Sequence, residues 1–208
     1  MLPLFPLSLI VFPYEQVNLH IFEPRYRQLI SESVEEDRPF GITPYLEKKL
    51  QEFGTTVRVT KVVKRYEDGR MDISAEGTER YRLQRFINPV EGKLYSGGEV
   101  ETLENFPDDT TLSDRMLLNE RIQELYEILN VENEFDSEEP FFSYRVGHKI
   151  GLSQIQEYEL LQFDRESERL NYLNEHFDRV IPVVRETERT KQLIRLNGHF
   201  KNFDPLNF

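Results

Sequence analysis

The side chains in this 208-residue chain that could carry chemistry are four histidines, many carboxylates and one basic hairpin. His20, His148, His176 and His199 have no partner at helical ligand spacing, whereas zinc usually shows a tight pair of ligands. Each reads as a surface or hydrogen-bonded structural residue. Cys is absent, which excludes thiolate zinc sites, disulfides and cysteine nucleophiles. Carboxylates are plentiful, so pairs such as Glu138/Glu139 or Glu157/Glu159 carry little signal, and adjacent acids on a helix do not face each other. The sequence contains no phosphate loop of the form G-x-x-x-x-G-K-[ST], no G-x-G-x-x-G and no G-x-S-x-G elbow. No catalytic residue, metal ligand or cofactor-binding residue is therefore expected. Lys61, Lys64, Arg65 and Arg70 gather with Tyr66 around an Asp68-Gly69 turn. Such a hairpin could contact phosphates and stack a base. The competing reading, which the net charge favours, is a strand edge guarded by cations against other chains.

The elements that would position these groups change type along the chain. Ser8–Phe12, Val17–Phe22, Phe40–Thr43, Thr55–Arg65, Met71–Ser74 and Arg80–Phe86 read as short strands from β-branched content and alternation. Glu76-Gly77 suggests a turn or bulge between the last two. Pro24 opens a helix that ends before Arg38-Pro39. After Gly97-Gly98 the period becomes helical. Ser113 is expected to cap a helix through Leu129, and Asn130–Glu139 to form an acidic loop. A helix over Phe141–Ile150 is expected next, then a Ser153/Gln156 capping box. Asp164 is expected to cap a longer helix, kinked or restarted at Pro182 and stopped at Asn197-Gly198. The fold class expected is α+β. A β-rich subdomain spans 1–98, an acidic connection 99–112, and a helical subdomain with a tail 113–208.

The net charge of −12 equals that of the segment from Glu99 to Pro140, where 14 acids meet 2 bases, and the rest of the chain is balanced. Bulk charge therefore repels nucleic acid and anionic membranes. The N-terminal run MLPLFPLSLIVFP is apolar but lacks a basic start, and prolines interrupt it. It does not read as a signal peptide, and no stretch approaches a membrane span. A cytoplasmic protein without membrane contact is the expectation.

Leu2-Pro3-Leu4-Phe5-Pro6-Leu7, then Val11-Phe12-Pro13, then Ile21-Phe22-Glu23-Pro24-Arg25-Tyr26-Arg27 form a combined signal. It closely resembles the N-terminal substrate-binding domain of Lon proteases, in the stand-alone form found in bacteria. Asp68-Gly69-Arg70, Glu76-Gly77, Arg80-Tyr81-Arg82-Leu83, Ser143-Tyr144-Arg145-Val146 and Glu168-Arg169-Leu170 extend the resemblance over nearly the whole chain. It implies a PUA-like β-barrel followed by a helical bundle, and contact with unfolded or tagged polypeptides or a specific protein partner. The ATPase and Ser-Lys protease parts of full-length Lon are not expected here, so neither activity is carried over. RNA binding through the barrel is the alternative function.

Pro3, Phe5, Pro6, Pro13, Phe22, Glu23, Pro24, Arg25 and Tyr26 identify the fold, with mostly structural roles expected. Glu23 and Arg25 are expected to pair with each other or cap the first helix. Phe141, Phe142, Phe200, Phe203 and Phe208 are the candidate partner-binding residues, each weighed against a place in its own core or a docked tail. A crevice between the β unit and the helices is one place expected for a peptide, and an exposed sheet edge accepting an extended strand is another.

Overall fold

The computed structural model describes residues 1–104 and 106–199. Strands β1 (Leu2–Leu7) and β2 (Gln16–Ile21) precede helix α1 (Pro24–Glu35). Strands β3 (Phe40–Leu46), β4 (Lys49–Leu50), β5 (Phe53–Arg65), β6 (Met71–Ile87) and β7 (Ser96–Leu103) follow. Helices α2 (Leu112–Leu129), α3 (Phe142–Val146), α4 (Gln154–Gln162) and α5 (Glu166–His199) complete the order, with a 3₁₀ turn at Gly147–Lys149. The chain forms two compact units. The first takes Met1–Pro107 and Tyr144–Arg165; the second takes Asp108–Ser143 and the chain from Glu166.

In the first unit the sheet order is β1-β7-β6-β5-β3-β4, with β2 beside β6. β1 also pairs with β3 in parallel, Leu4 against Gly41 through Leu7 against Pro44. The path of hydrogen-bonded strands therefore returns to its start. Phe5, Val11, Leu29, Phe40, Val57 and Ile73 are buried together inside it.

Several expectations change. The first strand is Leu2–Leu7, despite Pro3 and Pro6, and not Ser8–Phe12. Ser8–Phe12 is irregular and held by side chains: the Thr55 hydroxyl donates to the Val11 carbonyl, and the Phe12 N–H donates to the Glu15 carboxylate. The two strands expected on either side of Glu76-Gly77 are one 17-residue strand. Gly77 does not turn the chain; it admits another backbone, since a Cβ there would lie 2.2 Å from the Phe12 carbonyl oxygen. A boundary at 98 falls inside β7, where Glu99 and Glu101 oppose Arg85 and Arg82. These two acids are sheet residues and not a connection.

The return of the chain to the first unit is fixed by Arg80 on β6, only 1% exposed. Its guanidinium donates to the Leu161 and Phe163 carbonyls (3.1 and 2.9 Å) and to Asp164 (2.8 Å). These are the end of α4, where carbonyls lack helical partners and a cation is favourable. Asp164 is thus an ion-pair partner and not the cap of α5, which begins at Glu166. The expected Ser153/Gln156 capping box does form at the start of α4.

In the second unit Thr111, not Ser113, caps α2, in a reciprocal box with Asp114. Asn130 ends α2 in the left-handed conformation, with φ +53°. The cross-helix pairs Asp109–Ser167, Arg121–Asp178 and Glu124–Arg185 rise together, so α2 and α5 run parallel. Leu118, Ile122, Leu173 and Phe177 are fully buried there. α5 runs unbroken past Pro182. Buried Glu166 accepts from the Ser143 N–H (2.8 Å) and from Arg169 (2.8 Å). Burial pushes the Glu166 carboxyl up, against the Arg169 charge and these donors.

Gly77→Ala should cost about 2–4 kcal/mol, because backbone must move to admit the methyl. Arg80→Met should cost about 2–4 kcal/mol by stranding the buried Leu161 carbonyl and the part-buried Phe163 carbonyl. Urea unfolding of each variant measures both; a loss below about 0.5 kcal/mol would contradict the packing described.

Candidate functional site

A groove of about 410 Å³ opens in the first unit, lined by Pro6, Leu7, Tyr26, Tyr45, Leu50 and Phe86 with Ser8, Arg25, Asn88 and Ser96. That volume is in the range of ligand clefts, roughly 300–1,000 Å³. Strand register builds it. The β1–β7 ladder stops at Leu4 opposite Ser96, while the β1–β3 ladder continues to Leu7 opposite Pro44. One edge of β1 is therefore left without a ladder partner past Leu4. Pro6 suits that edge, since it has no N–H to leave unpaired. Tyr45 and Leu50 are direct cross-strand partners on β3 and β4, so their side chains share a face. Phe86 on β6 stands opposite Gly98, where the side chains of Leu83 and Leu4 take the place of the missing one.

The groove is apolar where soluble proteins usually are not. Tyr45 is 45% and Phe86 is 41% exposed. Tyr26 is buried and stacks on Phe5, with ring centroids 3.8 Å apart. Burial pushes the Tyr26 hydroxyl up, against the opposing field of Arg25, so it stays protonated. Arg25 lies over the Tyr26 ring, 4.6 Å from its centroid, and pairs with Glu23 at 2.8 Å. The expected Glu23–Arg25 pairing is present; Glu23 occupies the N-cap position of α1 without a side-chain cap bond.

Glu32 holds α1, and with it Tyr26, in place. It accepts from Gln28, Lys93, Arg38 and Tyr95 at 2.5–2.9 Å. Burial would raise its carboxyl, but hydrogen bonds from Lys93, Tyr95 and Gln28 outweigh burial and lower it to about 2.

The other sequence-predicted residues are dispersed. Pro3, Phe5 and Pro13 are buried, whereas Phe22 and Pro24 are exposed. Phe142 has no exposed surface, so it is core and not a partner contact. Phe141 is half-buried, its N–H donating to Asp108. Phe200, Phe203 and Phe208 lie outside the described residues. On the basic hairpin, Lys64 and Arg70 already lie over the Tyr66 ring (4.4 and 5.1 Å). The Tyr66 hydroxyl donates to Asp72, so base stacking would have to displace existing contacts.

Sequence reasoning missed Tyr45, Leu50, Phe86 and Asn88. Alternation placed Phe86 on a strand but could not tell which face stays open. Among the described residues, no group of three or more His, Cys, Asp or Glu could hold a metal ion. No described helix is long and apolar enough to cross a membrane.

A family model for the substrate-binding domain of ATP-dependent protease La (LON) matches residues 1–179. The chain belongs to the Lon substrate-binding domain family. Among solved structures it is similar to a Lon N-terminal domain protein from Xanthomonas campestris. The identity is 27% and the TM-score 0.64, over 84% of this chain and 96% of that one. It is also similar to the N-terminal domain of Mycobacterium avium complex Lon protease, with 19% identity and TM-score 0.61 over 86% and 98%. That second likeness concerns the fold alone. Comparison with curated proteins gives no match. Membership in the Lon substrate-binding domain family supports a polypeptide-binding role in general terms.

Away from the groove, His148 sits between two carboxylates, Glu157 at 2.8 Å and Glu15 at 3.2 Å, and stacks on Phe12. Burial lowers its pKa, but hydrogen bonds and charge from Glu15 and Glu157 outweigh that and raise it to about 9. A raised folded pKa stabilises fully below the ordinary value near 6.5 and is lost as pH rises through about 9. Unfolding free energy should fall by up to about 3 kcal/mol across that window. His148→Gln should flatten the profile; urea midpoints from pH 6 to 10 decide it.

Proposed function

We propose that this chain binds apolar segments of unfolded polypeptides, or of a specific protein partner, in the groove of its first unit, without catalysing a reaction. The observation that carries the reading is the open, apolar groove with Tyr45 and Phe86 both more than two-fifths exposed at its rim. Exposed aromatic clusters of this kind mark interaction sites. The edge of β1 left without a ladder partner gives an extended chain carbonyl groups to hydrogen-bond. The returning ladder path of β1, β7, β6, β5 and β3 supports reading the β unit as a PUA-like barrel. A chain without Cys fits work in the reducing cytoplasm.

The test is fluorescence anisotropy with a permanently unfolded, carboxymethylated protein as the probe. Phe86→Ala and Tyr45→Ala remove half-exposed rings and should leave the fold intact by circular dichroism. Together they should weaken binding about tenfold, the worth of about 1.4 kcal/mol. No binding by the parent chain, or binding unchanged in the double variant, would refute the assignment.

A further inference from the structure

We propose that the groove selects segments in which a bulky apolar residue lies beside a carboxylate, and that Arg25 reads the carboxylate. The inference rests on the groove being the polypeptide site and names the substrate class it prefers. Arg25 is the single charged residue among those lining the groove. Its Nε donates to one Glu23 oxygen at 2.9 Å, and its Nη2 lies 2.8 Å from the same oxygen in an ion pair. No bond from its Nη1 is made among the described residues. A guanidinium offers several donors in a planar fork suited to carboxylates, so one occupied edge leaves capacity for a second anion.

Position strengthens the case. The guanidinium is parked over the Tyr26 ring that floors the groove. Arg25 lines the same groove as Pro6, Leu7, Leu50 and Phe86, so a ligand seated there meets this cation. The side chains of Arg25 and Glu23 are 49% and 37% exposed. An ion pair that open is weak, so sharing or exchanging Glu23 for a ligand carboxylate costs little. A ligand lysine at the same place would meet repulsion. If Arg25 served the rim only as a structural cover for Tyr26, ligand charge would have no effect.

The probes are three fluorescein-labelled peptides with blocked ends. They are identical except for Glu, Gln or Lys after a Leu-Phe pair, and are titrated into the full chain at low salt. The glutamate peptide should bind about fivefold tighter than the glutamine peptide, and the lysine peptide weakest. The gap should close near about 0.5 M NaCl. Arg25→Gln should make the affinities of the glutamate and glutamine peptides for that variant equal, whatever the change common to both. Arg25→Lys should keep part of the gap, and Glu23→Gln should widen it about twofold by freeing the guanidinium. Equal affinity for the Glu and Gln peptides, or a gap that survives Arg25→Gln, overturns the assignment of Arg25. Failure of all three peptides to bind overturns the groove itself, so the two failures are distinct.

Discussion

A guanidinium that water scarcely reaches governs how this chain is partitioned. Arg80 extends from the longest strand to the last carbonyls of α4, a helix that follows it by some eighty residues. A buried cation without acceptors would be costly, so the sheet that carries Arg80 and the end of α4 belong to one unit. This explains why the first unit is discontinuous in sequence. It also explains why a boundary drawn at the change from strand-like to helical composition misses the real one.

The groove depends on the same kind of constraint, one step removed. Glu32 gathers four donors and thereby fixes α1 against the hairpin that carries Lys93 and Tyr95. α1 in turn sets Tyr26 on Phe5 as a floor and Arg25 at the rim. Residues that look like a fold signature therefore also line the site. Their apolar and charged parts divide the work: rings and proline shape the surface, and the guanidinium supplies its charge.

Much of this was legible in the sequence. Alternation located β2, β5 and most of β6, and capping chemistry located α4. The N-terminal motif led to the family. What failed has a common cause. The first strand was expected at Ser8–Phe12, yet β1 runs over Leu2–Leu7, where the edge left open past Leu4 tolerates Pro6. Gly77 looked like a turn because sequence cannot show the Phe12 backbone against it. Asp164 looked like a cap because sequence cannot show Arg80. Phe86 and Tyr45 were invisible as site residues because their role depends on where the β1–β7 ladder stops. Local pattern predicts elements; it does not predict which distant backbone or charge an element meets.

The division of the chain has a consequence for anyone who would take it apart. Backbone crosses from one unit to the other at 107/108, 143/144 and 165/166. Cutting the gene at the first crossing would not give a β protein and a helical protein. The first product would carry Arg80 without its acceptors, and the second would carry α4 without its sheet. Only the first unit would be divided by that cut, and the two products would have to meet for it to re-form.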